Sequence, residues 1–235
     1  MPWTSFGMAL LTTADLLRHP LFNGLEMAAA ERLLDQQRPL SAPADQTLLL
    51  FQDEGEGLLL IRSGLAKVRA FAGDGSEVVM AVLGPGDLLG DMAVLLGGVR
   101  SADVVALTPL EAVRLMARPF RELVHAELHL ALSLARLQAE RLLTLNERFL
   151  LRGSDATTRL LAVLLDLARR CSLGVDPLAL IPPLPQRELA AMAGLSRETT
   201  SRTLNHLRRR GLIQMDDSGL RLLRLEPLQT RGLLR

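Results

Sequence analysis

The sequence predicts an α+β fold in which a β-barrel of the jelly-roll type (a double-stranded β-helix) precedes a long helix and a winged helix-turn-helix. Short β-rich runs separated by Gly and Pro turns fill residues 45–117, a spacing typical of barrels and jelly rolls. Residues 119–152 are rich in Leu, Ala, Arg and Glu, which favours one long helix. Leu184–Ile213 has the pattern of two helices joined by a tight turn.

These patterns divide the chain into three parts. Residues 1–118 form a barrel domain that begins with leucine-rich helices before about Leu40. Residues 119–153 form the long helix and a hinge. Residues 154–235 form the helix-turn-helix domain, whose wing is two short strands around a turn at 217–219.

Local turn and cap signals support these divisions. Asp74-Gly75 is a strong hairpin signal between two β-rich runs of the barrel. Gly153 and Ser154 interrupt the helical pattern at the hinge, and Asp155 can cap the helix that follows. We therefore expect the C-terminal domain to begin as a separate helical unit at this point.

The helix-turn-helix pattern can be read residue by residue. Gln186 opens a first helix, and Gly194 supplies a residue that tolerates positive φ in the tight turn. Ser196 can cap the second helix, because its hydroxyl can accept from an amide of the first turn. That helix runs to about Arg209 and ends at Gly211.

The second helix carries polar side chains suited to reading DNA. A recognition helix places its N-terminal residues against base edges in the major groove. Arg197 and Arg202 can each pair with a guanine, and Glu198 can accept from a cytosine amino group. The alternative is an ordinary amphipathic helix with a solvated Arg face, which seldom combines a Gly turn with an opening Arg-Glu pair. The predicted DNA-binding residues are Gln186, Ser196, Arg197, Glu198, Thr199, Ser201, Arg202 and His206.

The charge distribution agrees with a nucleic-acid partner for the C-terminal part. The formal net charge of the whole chain is only +1. From Ser154 to the end, however, there are thirteen Arg and eight acidic residues, whereas the rest of the chain has fourteen basic and eighteen acidic residues. A basic module joined to a mildly acidic one suits one DNA-binding domain and one domain with another task.

Several classes of protein are excluded or disfavoured. Cys171 is the only cysteine, so the chain has no intramolecular disulfide and no cysteine cluster for zinc or iron–sulfur; its setting predicts a buried structural thiol. His125 and His129 stand four residues apart, but without a third ligand they indicate a helix surface. No catalytic constellation or Walker-type loop is visible, so we do not expect an enzyme. No run of eighteen apolar residues or signal peptide appears, so we expect a cytoplasmic protein without membrane contact.

Two segments carry a resemblance to a known family. LSRETTSRTLNHLRRRGLI, with its S-R-E-T-x-x-R pattern, and GPGDLLGDMAVLLGGVRSADVVALTPLEAVRL (Gly84–Leu115) resemble the Crp/Fnr family of bacterial transcription factors, and the cyclic-AMP receptor branch most. The resemblance implies a cyclic-nucleotide-binding barrel, a homodimer, a double-stranded DNA palindrome with TGTGA-like half-sites, and RNA polymerase as a partner. The single cysteine disfavours the family's oxygen-sensing branch, whose cluster needs several.

The resemblance also implies an effector site. Arg100 matches the residue that pairs with the nucleotide phosphate, and Ser101 matches a hydroxyl donor beside it. Asp91 matches the acceptor for a ribose hydroxyl, and Thr144 matches a residue that hydrogen-bonds the purine. The implied effector-binding residues are Gly90, Asp91, Met92, Arg100, Ser101, Thr144 and Leu145.

Three departures from the family pattern leave the effector open. Asp91 replaces a longer Glu, the stretch from Gly90 to Arg100 is one residue shorter, and Leu145 replaces a Ser that contacts the purine across the dimer. Cyclic AMP is the first expectation, followed by cyclic GMP or cyclic di-GMP. The alternatives are another metabolite, or a constitutive DNA-binding regulator in which Arg100 and Asp91 form a structural ion pair.

The long helix presents two apolar seams, one of which is expected to form a dimer contact. Two recognition helices related by a two-fold axis lie about 34 Å apart and read a palindrome. One seam continues to the end of the helix and the other is interrupted by Arg141, then Thr144. Burial within a single subunit is the alternative. The seams are Leu128, Leu132, Ala135, Ala139, Leu142, Asn146 and Phe149, and Leu130, Leu134 and Leu137.

Overall fold

The structure is a computed structural model that describes residues 10–234. The first nine residues of the predicted helical stretch lie outside this range. The elements in chain order are α1 (Thr13–Arg18), α2 (Met27–Leu34), β1 (Arg38–Ala42), β2 (Thr47–Leu49), β3 (Gly57–Ser63), β4 (Ala66–Phe71), β5 (Glu77–Leu83), β6 (Leu88–Leu89), α3 (Asp91–Leu96), β7 (Asp103–Ala106), β8 (Leu110–Met116), α4 (Ala117–Ala126), α5 (Leu128–Leu151), α6 (Ala156–Cys171), α7 (Gln186–Ala193), α8 (Arg197–Arg209), β9 (Ile213–Asp216), β10 (Gly219–Leu222) and α9 (Glu226–Thr230).

The described chain divides into two compact units. The first unit comprises the chain up to Gly64 together with Pro85–Leu145, and the second comprises Leu65–Gly84 together with the chain from Asn146 onward. The mixture of short strands and helices confirms the predicted α+β class. The β4–β5 hairpin therefore packs with the C-terminal helices, although it lies within residues 1–118.

The first unit is organised around an antiparallel sheet of order β1-β8-β3-β6. In β3, Leu59 lies opposite Leu89 of β6 and Arg114 of β8. The sheet supplies part of one core, into which α1, α2, α4 and the first half of α5 also pack. Within this core, the rings of Phe22 and Phe120 meet edge to face, with their centroids 6.5 Å apart. Both rings are fully buried, and each such burial stabilises the fold by about 1.5–3 kcal/mol.

The N-terminal stretch is helical only in part. A capping box fixes the start of α1, since the Thr12 hydroxyl accepts from the Asp15 amide and the Asp15 carboxylate accepts from the Thr12 amide. The prediction of helix up to about Leu40 was wrong at its end, because β1 begins at Arg38 and pairs antiparallel with β8. Pro39 has no amide donor for a helix, which favours the extended strand.

The predicted long helix is present as α5, but the prediction that it begins at residue 119 was wrong, because a separate helix, α4, precedes it and the two meet at Glu127. This residue adopts extended backbone angles, φ −112° and ψ 98°. Leu123 of α4 and Leu130 of α5 are both buried, and in one continuous helix Glu127 would lie between them on the same face. Burying an unpaired carboxylate there is costly, so the break at Glu127 removes that requirement.

The second unit contains the β4–β5 hairpin, α6–α9 and the β9–β10 wing. Asp155 caps α6 as predicted, since its carboxylate accepts from the Thr157 and Thr158 amides. The wing strands pair antiparallel, and Gly219 lies opposite Asp216 across the predicted turn. Helix α6, helix α8 and both wing strands carry buried leucines and one buried isoleucine: Leu160, Leu161, Leu164, Leu204, Leu207, Ile213 and Leu222.

Candidate functional site

The turn between α7 and α8 has the geometry that the sequence predicted. Gly194 adopts left-handed angles of φ 59° and ψ 40° and ends α7. The Ser196 hydroxyl accepts from the Thr199 amide at 3.1 Å and so caps α8. Arg159, which the sequence did not single out, donates from α6 to the Gly194 carbonyl. The turn is therefore held both by its own cap and by a side chain from another helix.

Helix α8 has a buried face and an exposed basic face. Thr200, Leu204 and Leu207 are buried against the rest of the unit. The outer face carries the exposed side chains of Arg197, Glu198, Arg202 and His206. Gln186 and Ser196 are also exposed, and Thr199 and Ser201 are half-buried at the edges of this face. The predicted DNA-binding residues of α8 and its cap thus lie on or beside its exposed face, and Gln186 is exposed at the start of α7.

The charged side chains on the outer face of α8 hold each other only weakly. Arg202 Nη2 lies 3.9 Å from Glu198 Oε1, an i, i+4 pair whose side chains are both more than two-thirds exposed. Such pairs contribute only about 0.3–0.5 kcal/mol. Both groups can therefore leave each other for base edges at small cost. Arg208, Arg209 and Arg210, which the sequence-based list omitted, are exposed at the end of α8 and add positive charge suited to phosphates.

The candidate effector site is centred on the start of α3. Gly90 precedes this helix in the left-handed region, φ 77° and ψ 5°. A Cβ on Gly90 would collide with Nη1 of Arg100, so glycine is required by both backbone angle and space. Arg100 is only 6% exposed, and it donates from Nη1 to the Gly90 carbonyl (2.8 Å) and from Nη2 to the Gly57 carbonyl (2.5 Å). The predicted phosphate ligand is thus a buried guanidinium fixed by backbone oxygens.

The environment of Arg100 makes it unusual among the arginines. Burial, then the charge of Arg114, lowers the pKa of its guanidinium. Ser101 and Met92, the neighbouring predicted residues, are exposed. A phosphate that joined Arg100 would add a negative charge beside a buried positive one, an arrangement that strengthens both hydrogen bonds and charge attraction.

Asp91 is held by α5, which the sequence did not predict. It is 2% exposed, and its carboxylate oxygens lie 3.0 and 2.8 Å from Nη1 of Arg141 and 2.5 Å from Nε2 of Gln138. Arg141 also donates to the Leu88 carbonyl at 2.6 Å. The alternative that Asp91 pairs with Arg100 was wrong, because Arg141 is its ion-pair partner. Arg141 interrupts an apolar seam of α5, and that interruption is the feature of the sequence that could have pointed to a buried partner for it.

The two other predicted effector residues lie further along α5. Thr144 follows Arg141 by three residues and is half-buried; its hydroxyl donates to the Glu140 carbonyl at 3.0 Å. Leu145 is 44% exposed. The structure therefore brings Gly90, Asp91 and Arg100 together with α5 and leaves Ser101, Met92 and Leu145 at exposed positions.

The two seams of α5 have different environments. Leu130 and Leu134 are buried in the core of the first unit and Leu137 packs against it, so this seam faces the barrel. The other seam is exposed, and four of its large side chains are more than half exposed: Leu128, Leu132, Leu142 and Phe149. Exposed apolar rows of this kind mark protein contact surfaces.

Comparison with known proteins gives matches to both parts of the chain. A model of the cyclic nucleotide-binding domain matches residues 39–127, and a model of the Crp-like helix-turn-helix domain matches residues 158–231. The cyclic AMP receptor protein of Thermus thermophilus is 36% identical over 199 residues, which are 83% of this chain and 88% of that protein.

A second curated relative and one solved structure extend this result. The CRP-like cAMP-activated global transcriptional regulator of Mycobacterium tuberculosis (strain H37Rv) is 28% identical, covering 92% of this chain and 98% of that protein. The structure of FixK2 from Bradyrhizobium japonicum superposes with a TM-score of 0.71 at 20% identity, over 83% of this chain and 96% of that one. The latter similarity concerns the fold.

Two kinds of feature are absent from residues 10–234. None of the helices there is both long enough and apolar enough to cross a membrane. Within the same range, His, Cys, Asp and Glu side chains do not gather in groups of three or more that could hold a metal ion.

Proposed function

The chain belongs to the Crp/Fnr family of transcription regulators, and from this premise we propose that it is a homodimeric DNA-binding regulator gated by a cyclic nucleotide, with cyclic AMP as the first candidate. The observation that carries the effector assignment is the buried Arg100 guanidinium fixed at the Gly90 turn. A guanidinium held in place in this way is suited to pairing with one compact phosphate. The cyclic AMP receptor protein of Thermus thermophilus, at 36% identity, supports the same choice.

The DNA assignment rests on the outer face of α8. Arg197 and Arg202 are exposed and can donate to guanine, and Glu198 can accept from cytosine. We propose a palindrome with TGTGA-like half-sites, and phosphate contacts from the arginines at the end of α8. RNA polymerase is the proposed partner for regulation at the promoter, in the cytoplasm.

The dimer assignment rests on the exposed seam of α5. A helix of 24 residues is about 36 Å long, and its exposed Leu128, Leu132, Leu142 and Phe149 recur along it. Two copies packed along this seam would bury these side chains against each other. Such a dimer would present two recognition helices, which is what a palindrome requires.

Fluorescence anisotropy with a labelled TGTGA palindrome tests the proposal. The affinity is measured with and without cyclic AMP, cyclic GMP and cyclic di-GMP, and a scrambled duplex at the same salt concentration is the control. We expect cyclic AMP to tighten binding to the palindrome alone. Equal affinity with and without every nucleotide would leave a constitutive DNA-binding regulator, and a response to cyclic di-GMP alone would reassign the effector.

A variant separates base reading from phosphate contact. Arg197→Ala should cost about 1–3 kcal/mol on the palindrome and much less on scrambled DNA. Arg118→Ala is the matched control, since Arg118 is exposed on α4 and pairs with Glu122. Equal losses on both duplexes would show that Arg197 contacts only phosphates.

A further inference from the structure

The only lysine of the chain is buried in the second unit between two carboxylates. Lys67 Nζ lies 2.7 Å from Glu77 Oε1 and 2.6 Å from Glu188 Oε2. The side chains of Lys67 and Glu188 are 5% and 8% exposed. Burial alone would raise the pKa of Glu77, but the hydrogen bonds and charges of Lys67 and Arg69 lower it. One amine thus contacts two carboxylates at less than 3 Å, and we call this arrangement the Glu77–Lys67–Glu188 bridge.

The bridge joins the β4–β5 hairpin to the helix-turn-helix. Lys67 lies in β4 and Glu77 in β5, whereas Glu188 is the third residue of α7, the first helix of the helix-turn-helix. Lys67 and Glu188 are 121 positions apart in the chain. The hairpin is therefore joined to the first helix of the helix-turn-helix by contacts between a few charged atoms.

Two further contacts hold the same hairpin. Arg148 donates to the Met80 carbonyl of β5 at 2.9 Å and to the Asp166 carboxylate of α6 at 2.6 Å. Gly84, just after β5, lies so close to α6 that a Cβ would stand 2.9 Å from the Arg170 carbonyl oxygen. The hairpin is thus tied to α6 as well as to α7.

We propose that Lys67 is a positioning residue for DNA binding, because its buried bridge selects the setting of α7 against the β4–β5 hairpin. A buried ion pair adds little net stability, since desolvation offsets attraction. Separating α7 from the hairpin would leave Lys67 with Glu77 and Glu188 with Arg187, 3.4 Å away, so what is lost is the short contact between the two most buried groups. Any setting in which α7 leaves the hairpin would separate Glu188 from Lys67. We call the positions of α7 in which Lys67 contacts Glu188 the closed set, and those in which this contact is broken the open set.

This inference rests on the proposed function for its regulatory consequence. An effector or DNA can shift α7 between the two sets only if it binds them with different affinity. The bridge contributes to the energy difference between them, so its removal should reduce the effect of the effector on DNA affinity. Lys67 also becomes accessible in the open set, and as the only side-chain amine it can report that set directly.

The first test is amine labelling of the full-length protein with an N-hydroxysuccinimide ester. Mass spectrometry follows the peptide that contains Lys67, separately from the N-terminal amine. We expect slow labelling of the free protein compared with the urea-unfolded chain, and a change of at least about fivefold, in either direction, when operator DNA and cyclic AMP are bound. A rate unchanged within about twofold under all ligand conditions would overturn the proposal.

The second test measures DNA affinity in Lys67→Met, Glu188→Gln and the double variant. We expect each single change to bring the ratio of affinities with and without cyclic AMP to within about twofold of one, and the double variant to add nothing further. Arg118→Met is the control and should keep the normal ratio. Independent, additive effects of the two single changes would refute the bridge as the unit of control.

The two tests separate the bridge from the proposed function. If cyclic AMP does not change the DNA affinity of the unmodified chain, the effector assignment fails, and labelling with DNA alone then decides for or against the bridge. If Lys67→Met does not fold, Glu188→Gln and the labelling of the unmodified protein give the answer.

Discussion

Replacing Arg141 by Leu should destabilise the first unit by about 3 kcal/mol. The change removes the contacts of Arg141 with both Asp91 oxygens and its hydrogen bond to the Leu88 carbonyl. Asp91, which is 2% exposed in the unmodified chain, would keep only Gln138 as its side-chain donor. Breaking a buried pair by removing one partner costs about 3–5 kcal/mol, and we take the lower end because the Arg141 side chain is 28% exposed.

Urea and thermal unfolding followed by circular dichroism measure this loss. For a chain of this size, about 3 kcal/mol corresponds to a Tm lower by about 6–12 °C. Arg118→Leu is the control, because its pair with Glu122 is exposed and should contribute little. Asp91→Asn combined with Arg141→Leu should cost less than the sum of the two single changes. A loss below about 1 kcal/mol for Arg141→Leu would refute the argument that Asp91 depends on it.

The same variant examines the effector site. With Arg141 absent, the Asp91 oxygens are open to a ribose hydroxyl, so the preference for cyclic AMP over 2′-deoxy cyclic AMP should rise. Calorimetric titration of both nucleotides measures that preference. An unchanged preference would show that Asp91 does not contact the ribose.

Three further predictions follow from single residues. Burial lowers the pKa of His19, whose Nε2 lies 2.7 Å from the Gly86 carbonyl oxygen, so as the pH falls the unfolded chain takes up the proton first. The free energy of unfolding should therefore be full above about pH 6.5 and fall below it. Urea midpoints at pH 7.5 and 5.5 should show a smaller fall in His19→Asn than in the control His125→Asn. Gly90→Ala should displace Arg100 and abolish the thermal shift given by cyclic AMP, whereas Gly98→Ala, where a Cβ meets nothing within 4 Å, should keep it. Burial raises the pKa of Cys171 to about 11, so iodoacetamide at pH 7.5 should modify it about a hundredfold more slowly than in urea, and comparable rates would contradict the burial argument.

The parts of the fold that the sequence predicted well are those governed by local rules. Gly194 needs positive φ, Ser196 needs an amide to cap, and both requirements are met within a few residues of the chain. Asp155 and the Asp74-Gly75 hairpin follow in the same way. Each of these features depends on neighbours in sequence, which is why a single chain is sufficient to predict it.

The parts that the sequence did not predict depend on distant partners. Arg141 stands 50 residues from Asp91, and Lys67 stands 121 residues from Glu188. Nothing in the local pattern of either residue names its partner. The break at Glu127 was missed for a related reason, since helix propensity is favourable through it and only the buried leucines on either side make the continuous helix costly.

The charged residues that interrupt apolar patterns in this chain have two different outcomes. At Glu127 the backbone leaves the helix, so the carboxylate need not be buried. At Arg141 and Lys67 the backbone keeps its regular element, and the charge is instead paired with a buried carboxylate.

Apolar side chains at such positions often leave a fold equally stable or more stable, because they avoid the cost of removing a charge from water. What an apolar side chain cannot supply is a contact that is lost abruptly when one element moves. Arg141 joins α5 to the start of α3, and Lys67 joins the β4–β5 hairpin to α7. A ligand at Asp91 would act directly on the first pair. DNA at α8 would act on the helix-turn-helix, whose first helix, α7, is held by the second pair. Both pairs therefore stand where a transition between two settings would be selected.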